Sequence, residues 1–169
     1  MKTLTLQNAA KYQITQTFLI LVATMALPLM IHLLPNMNGN LAGAVLLPIF
    51  WAPMFAAFFF KRHVSILAGI FAPLFNFLIL NRPAPEMVVM LSFEIMLFSL
   101  IVSWLKNQKL IGYIAAPLAY IAASLTVVLG MSLFVNHLSV EGWINSTLIA
   151  FPGILLLTAA NLLLIRFRK

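Results

Sequence analysis

The chain contains no cysteine and few charged residues, and both shortages narrow what it can be. Without cysteine it can form no disulfide, no thiolate metal site and no cysteine nucleophile. Only 8% of its 169 residues are charged and 63% are hydrophobic, whereas soluble globular proteins have about 25% charged residues. The composition therefore predicts an integral membrane protein, and the length allows one membrane domain, 1–169.

The chain also lacks the motifs by which proteins bind nucleotides or catalyse hydrolysis. It has no Walker A loop, no dinucleotide-binding fingerprint, no GxSxG and no HExxH. His32 has no second His, Asp or Glu three or four residues away with which to share a metal ion. We therefore expect no enzymatic activity, no metal and no cofactor.

Long apolar runs, separated by short polar stretches, make up most of the sequence. A run of about 20 apolar residues can cross the roughly 30 Å hydrocarbon layer as a helix, which satisfies its backbone hydrogen bonds internally. The fold class predicted from these runs is an all-α bundle of six transmembrane helices. The predicted helices cover 17–34, 41–60, 64–80, 87–105, 110–135 and 143–165.

The basic residues predict the orientation of this bundle, because Lys and Arg in short loops are retained on the cytoplasmic side. If the chain crosses the membrane six times, nine of the ten Lys and Arg residues lie on one side of it: Lys2, Lys11, Lys61, Arg62, Lys106, Lys109, Arg166, Arg168 and Lys169. Only Arg82 falls on the other side. Both termini are therefore expected to be cytoplasmic, and the net charge of +7 is explained by the lipid bilayer without any nucleic acid.

Six prolines fall within the predicted spans: Pro28, Pro48, Pro53, Pro73, Pro117 and Pro152. Each removes a backbone donor and bends its helix unless neighbouring groups compensate. Irregular backbone at membrane depth is tolerated where it is packed in protein or lines a cavity. Proline is also simply commoner in membrane helices than in soluble ones, so a cavity is one of two interpretations.

Glu94 and Asn76 are the strongest candidates for binding a ligand within the membrane. Glu94 lies eight residues into its predicted helix, or roughly 12 Å from the outer end, and an intramembrane acid is a functional candidate by default. Asn76 lies about 8 Å below the same end of the preceding helix, and its amide can donate and accept hydrogen bonds. The alternative for both residues is a purely structural bond that fastens two helices together.

Further candidates lie on the same outer side. Arg82 either pairs with Glu86 or binds an anionic group of a ligand. Trp51, near the middle of its predicted helix, either stacks on a flat ligand or packs in the ordinary way. Neutral hydrogen-bonding groups in the outer segments complete the candidate set: Asn36, Asn38 and Asn145.

Small residues at spacings of three and four form two ridges that allow another helix to approach closely. The longer ridge includes Ala115, Ala119 and Ala123, and the shorter one consists of Ala52 and Ala56. Spacing alone leaves open whether the neighbouring helix belongs to this chain or to a docked partner protein.

Several of these segments resemble the substrate-binding S components of energy-coupling factor (ECF) vitamin transporters. The resemblance is carried by LLPIFWAP at 46–53, AG at 68–69, APL at 72–74, LNRPAPE at 80–86, and Glu94. It covers about residues 28–105, and the remainder only as six-helix topology. The chain departs from the family in its turn, where Thr-Gly-x-Pro-Pro is commoner, and in lacking the Ala-x-x-x-Ala motif of helix one.

The resemblance implies a multi-pass subunit in the cytoplasmic membrane of a bacterium or archaeon that captures a vitamin or related micronutrient from outside. It also implies partners, namely a transmembrane coupling protein and two ATPase subunits that hydrolyse ATP for transport. Two other classes remain open from the residues alone. They are a structural or assembly subunit of another membrane complex, and a solitary small-molecule carrier.

Overall fold

The structure is a computed structural model that describes residues 2–37, 39–80, 84–133 and 139–168. Every regular element within these ranges is a helix and none is a β-strand, which confirms the predicted all-α class. The α-helices are α1 Lys2–His32, α2 Ala42–Leu46, α3 Trp51–Phe59, α4 Arg62–Leu80, α5 Pro85–Leu105, α6 Ala115–Met131, α7 Val140–Ile149 and α8 Phe151–Arg168. Short 3-10 helices precede α3 at Pro48–Phe50 and α6 at Ile111–Ile114.

Four segments are long and apolar enough to cross a membrane: Lys11–Ile31, Arg62–Ile79, Pro85–Leu105 and Ile111–Met131. A fifth crossing results if α7 and α8 are taken together as one bent span. Large apolar side chains such as Phe18, Leu78 and Trp104 are exposed along these helices, as expected where the neighbour is lipid. The fold is thus consistent with a multi-pass membrane protein.

The prediction of one continuous helix over 41–60 is wrong, because the chain breaks at Leu47. This residue has φ of 53° and ψ of 43°, in the left-handed region that non-glycine residues rarely adopt. Pro48 accounts for the position of the break. Proline has no N–H to continue a helix, and its ring disfavours the right-handed helical conformation at the preceding residue.

The predicted helix over 143–165 is also interrupted. Its two parts, α7 and α8, are bent by 64° at Ala150, and Pro152 lies in the first turn of α8, where a missing N–H breaks no intrahelical bond. At the other end of the chain, the helix predicted at 17–34 begins at Lys2 and ends at His32. The helix predicted at 110–135 starts as a 3-10 helix at Ile111, and its α-helical part ends at Met131, short of the predicted end.

The core lies between α3, α5, α6 and α8. Its largest fully buried side chains are Phe98, Ile95 and Leu157. α4 and α5 approach closely at Gly69, where an added Cβ would lie 2.9 Å from Ile95 Cγ2 and 3.1 Å from the Ile95 carbonyl oxygen. Because lipid is as apolar as a leucine side chain, such close packing of small residues is a main source of helix association in membranes.

Hydrogen bonds from hydroxyl groups also join neighbouring helices. Ser65 Oγ donates to the Pro53 carbonyl at 2.7 Å, and Ser99 Oγ donates to the Ser65 carbonyl at 3.3 Å. Ser92 Oγ donates to the Ile70 carbonyl at 3.0 Å. These bonds join α3 to α4 and α4 to α5. Of these helices, α4 and α5 border the site described next.

Candidate functional site

A cavity of about 840 Å³ lies at the end of the bundle where α1 and α4 finish and α5 begins. Its walls come from α1, the segment 40–50, α4, α5, α6, α7 and Ala150. Most of the lining side chains are apolar, for example Leu29, Leu41, Met87 and Leu91. The volume falls within the range of about 300–1,000 Å³ that is usual for small-molecule sites.

Both helix breaks border this cavity. Leu47 and Ala150, the residues at which the two predicted spans are interrupted, are lining residues. The breaks also pack against each other, because Gly153 lies where an added Cβ would be 2.7 Å from the Val45 carbonyl oxygen and 2.8 Å from the Leu46 carbonyl carbon. The irregular backbone of this region is therefore packed within protein and beside a cavity, as membrane-embedded breaks require.

Glu94 and Asn76, predicted from adjacent helices, are brought together in the wall of this cavity. Each side chain is only 7% exposed. Within the described part of the chain, no hydrogen bond or ion pair involves Glu94, and Asn76 Oδ1 is buried without a hydrogen-bond partner. Glu94 is nine residues from the start of α5, or about 14 Å along the helix axis. Two buried polar groups, each on a helix long and apolar enough to cross a membrane, thus face a cavity with unpaired acceptor atoms.

Aromatic side chains close the cavity towards the middle of the bundle. Phe50 and Tyr120 line it, with ring centroids 5.2 Å apart and an interplanar angle of 83°. Phe50 also packs edge-on against Phe98, at 5.0 Å and 72°. Phe98 is one helical turn beyond Glu94 on the same face of α5. The pair Phe50 and Tyr120 forms the aromatic floor of the cavity that Glu94 also lines. Edge-to-face pairs of this kind are stabilising and rigid.

A second, smaller cavity of about 310 Å³ lies beneath α7 and shares Glu94, Tyr120 and Ser146 with the first. None of the ten residues of α7 is buried. Trp143 Nε1 donates to Ser124 Oγ on α6 at 3.0 Å, and the Ser139 hydroxyl caps the helix by accepting from the Gly142 N–H at 3.0 Å. α7 is therefore a lightly attached wall that the two cavities have in common.

Three of the other predicted ligand-binding residues are described by the structure, and none of the three joins Glu94 and Asn76. Trp51 is the first residue of α3, after the break, and is partly buried against the core cluster rather than in the cavity lining. Asn36 and Asn145 are exposed and are not among the lining residues. Arg82 and Asn38 lie outside the described residues.

The five alanines proposed as docking ridges are in the interior of the chain. Ala115, Ala119, Ala123 and Ala56 are 0% exposed, and Ala52 is 5% exposed. Helices of the same chain already occupy these faces: α5 and α8 contact the α6 ridge, and α1 and α4 contact the α3 ridge. A partner protein would have to separate those helices to reach the alanines, so the ridges offer it no free surface in this structure.

Two site residues were missed by the sequence analysis. Tyr120 lies among the alanines of α6, and nothing in a row of small and apolar residues distinguishes a cavity-lining tyrosine from a packed one. Ser146 lies on α7, in an outer segment from which Asn145 was selected instead. Successive side chains on a helix point in directions about 100° apart, so Ser146 lines the cavity while Asn145 does not.

No protein family, curated protein or solved structure matches the chain in comparisons with known proteins. The cavity and its residues are therefore the features that bear on function.

Proposed function

We propose that the chain is the substrate-binding subunit of an ECF-type importer, which captures a vitamin-like small molecule in the larger cavity. The observation that carries the proposal is that Glu94 and Asn76, both buried, line a cavity of about 840 Å³ with unpaired acceptor atoms. An acid within a membrane is costly and is usually retained for function. A purely structural acid would be paired with the helix that it fastens.

In this proposal, α2 with α3, and α7 with α8, each form one broken crossing, so that the chain crosses the membrane six times. The cavity then opens outward and both termini are cytoplasmic. Support comes from the far end of the bundle, where Lys106 Nζ donates to the Ala57 carbonyl at the end of α3, close in sequence to Lys61 and Arg62. Basic residues from separate helices therefore gather opposite the cavity, on the side that the positive-inside rule makes cytoplasmic.

Energy for uptake would come from partner proteins, because the sequence has no phosphate-binding loop. The partners are a transmembrane coupling protein and two ATPase subunits, as in the family that the sequence resembles. Since the alanine ridges are internal, the coupling protein would contact lipid-facing side chains of the bundle.

The test is to purify the chain alone and to identify small molecules that leave with it, by native mass spectrometry. Ala44 is exposed to the cavity, so Ala44→Trp would fill part of the binding volume. Ala159 is exposed on α8 and is not a lining residue, which makes Ala159→Trp a matched control. We expect a bound molecule in the wild type and in the Ala159 variant, and its loss from the Ala44 variant.

Equal retention of the molecule by both tryptophan variants would move the site away from this cavity. A wild-type chain that carries no small molecule, even after incubation with a low-molecular-weight cell extract, would instead favour a structural or assembly subunit.

A further inference from the structure

The chemistry of the cavity wall restricts what the cavity can bind. Glu94 is the only charged residue among the described lining residues, and none of them is Lys, Arg or His. Asn76 adds a buried carbonyl oxygen that has no hydrogen-bond donor in the described part of the chain. The wall therefore presents one unpaired carboxyl group and one unpaired amide oxygen, and no described positive charge opposes either.

A buried carboxylate without a partner is unfavourable in a medium of low dielectric constant, and a cation with N–H donors offsets that cost best. An anionic ligand would face the opposite situation, because its charge would be added to that of Glu94 with no described counter-charge in the wall. Like charges brought together in a poorly solvated site repel strongly. The electrostatics of the wall thus favour a positively charged ligand.

An inorganic ion does not suit this site. The described residues contain no group of three or more His, Cys, Asp or Glu side chains that could hold a metal ion, and hard cations require about six oxygen ligands. The apolar walls and the floor formed by Phe50 and Tyr120 would leave most of an ion's coordination shell empty. They suit an apolar molecular body, and aromatic faces also attract organic cations.

We propose that the cavity selects an organic ammonium ion, with its N–H groups directed at Glu94 and Asn76 and its apolar body on the Phe50–Tyr120 floor. This proposal rests on the proposed function, since it names the substrate class of the same site. It also assigns distinct tasks to the wall: Glu94 selects the charge, Asn76 accepts a second hydrogen bond, and the aromatic floor excludes small hydrated cations.

Three probes with the same indole body and different head groups test the charge preference: tryptamine, tryptophol and indole-3-propionate. Each is added at millimolar concentration to the purified chain in detergent at pH 7, and affinity is derived from the dose-dependent rise in Tm. We expect tryptamine to bind at least tenfold more tightly than indole-3-propionate, with tryptophol between them. A charge-assisted hydrogen bond to Glu94 accounts for that difference.

Glu94→Gln should weaken tryptamine binding at least tenfold while leaving tryptophol within about threefold. Glu86→Gln is the matched control, because it makes the same substitution on the same helix at an exposed residue that does not line the cavity. This control should bind all three probes as the wild type does. It also shows that a change in the net charge of the chain does not produce the effect.

The outcomes separate the substrate class from the site itself. If indole-3-propionate binds as tightly as tryptamine, or if the preference survives in Glu94→Gln, the ammonium class is wrong although the cavity still binds small molecules. If none of the three probes raises the Tm of the wild type, the cavity is not a binding site for molecules of this size, and the proposed function fails with the substrate class.

Discussion

Asn161 on α8 makes three side-chain hydrogen bonds to another part of the chain, and its replacement is the sharpest test of the fold. Its Oδ1 accepts from the Ala116 N–H at 3.2 Å, and its Nδ2 donates to the carbonyls of Gly112 and Tyr113 at 3.0 and 2.7 Å. The side chain is 0% exposed. One amide thus fastens α8 to the beginning of α6.

The start of α6 needs this partner for a reason visible in its sequence. The first N–H groups of a helix have no intrahelical acceptor, and Ala116 is the second residue of α6. Pro117 has no N–H, so it cannot donate to the Tyr113 carbonyl four residues earlier. Asn161 provides an acceptor for the first group and a donor for the second, and it does so in the buried interior, where water does not replace either.

Asn161→Leu keeps the number and branching of the side-chain heavy atoms, with two methyl groups in place of the amide oxygen and nitrogen, and removes all three bonds. Interhelical hydrogen bonds in membrane proteins average about 0.6 kcal/mol each, and a buried N–H left without an acceptor costs about 1–3 kcal/mol more. We therefore expect the free energy of unfolding to fall by about 2–5 kcal/mol. Unfolding followed by circular dichroism in mixed micelles with increasing SDS measures this change.

Thr158→Val, on the same helix, is the control for this experiment. Its hydroxyl bonds only to the Ile154 carbonyl within α8, at 2.8 Å, so we expect a change of about 0.5 kcal/mol or less. If Asn161→Leu were no more destabilising than Thr158→Val, the three bonds would not be what holds α8 to α6.

Three further predictions concern the cavity walls and the orientation. Gly153→Ala should destabilise the chain by about 1–3 kcal/mol in the same denaturation assay, because the added Cβ would overlap the Val45 carbonyl. Gly130→Ala is the control, since an added Cβ there has no atom within 4 Å. It should be neutral or up to about 1 kcal/mol stabilising. Trp143→Phe removes the bond to Ser124, worth about 0.6 kcal/mol, so amide exchange in α7 should rise about threefold; no increase would mean that the bond does not hold α7. In intact cells, cysteines at Ala84 and Ser139 should react with an impermeant thiol reagent and one at Gln108 should not, and the reverse pattern would overturn the orientation.

The all-α class and the two main site residues could be predicted from the sequence because each depends on a local property. Apolar runs of the length of a membrane predict helices whatever their neighbours are. Glu94 and Asn76 stand out because polar side chains are rare within such runs. Asn161 is also a polar side chain within an apolar run, so the sequence contained the information needed to select it.

The roles of the aromatic residues and of the alanine ridges depend on contacts between distant parts of the chain. The spacing of residues along the sequence does not reveal those contacts. Trp51 and Tyr120 are both aromatic residues within apolar runs and both pack against the core cluster, but only Tyr120 also lines the cavity. The alanine ridges of α3 and α6 are real features of the packing. Their spacing predicts that a helix lies against them, but not whether it belongs to the same chain.

Prolines explain where the helices break, and the breaks explain where the cavity is. Most prolines in the described helices, including Pro53 and Pro117, lie in the first turn, where the missing N–H removes no intrahelical bond. Pro48 and Pro152 have a further effect, because they follow or adjoin the interruptions at Leu47 and Ala150. An interrupted helix exposes backbone polar groups that lipid cannot satisfy, so two interruptions are more stable when they face protein together than when each faces lipid. The two interruptions meet at Gly153, and Leu47 and Ala150 line the same cavity as the unpaired Glu94.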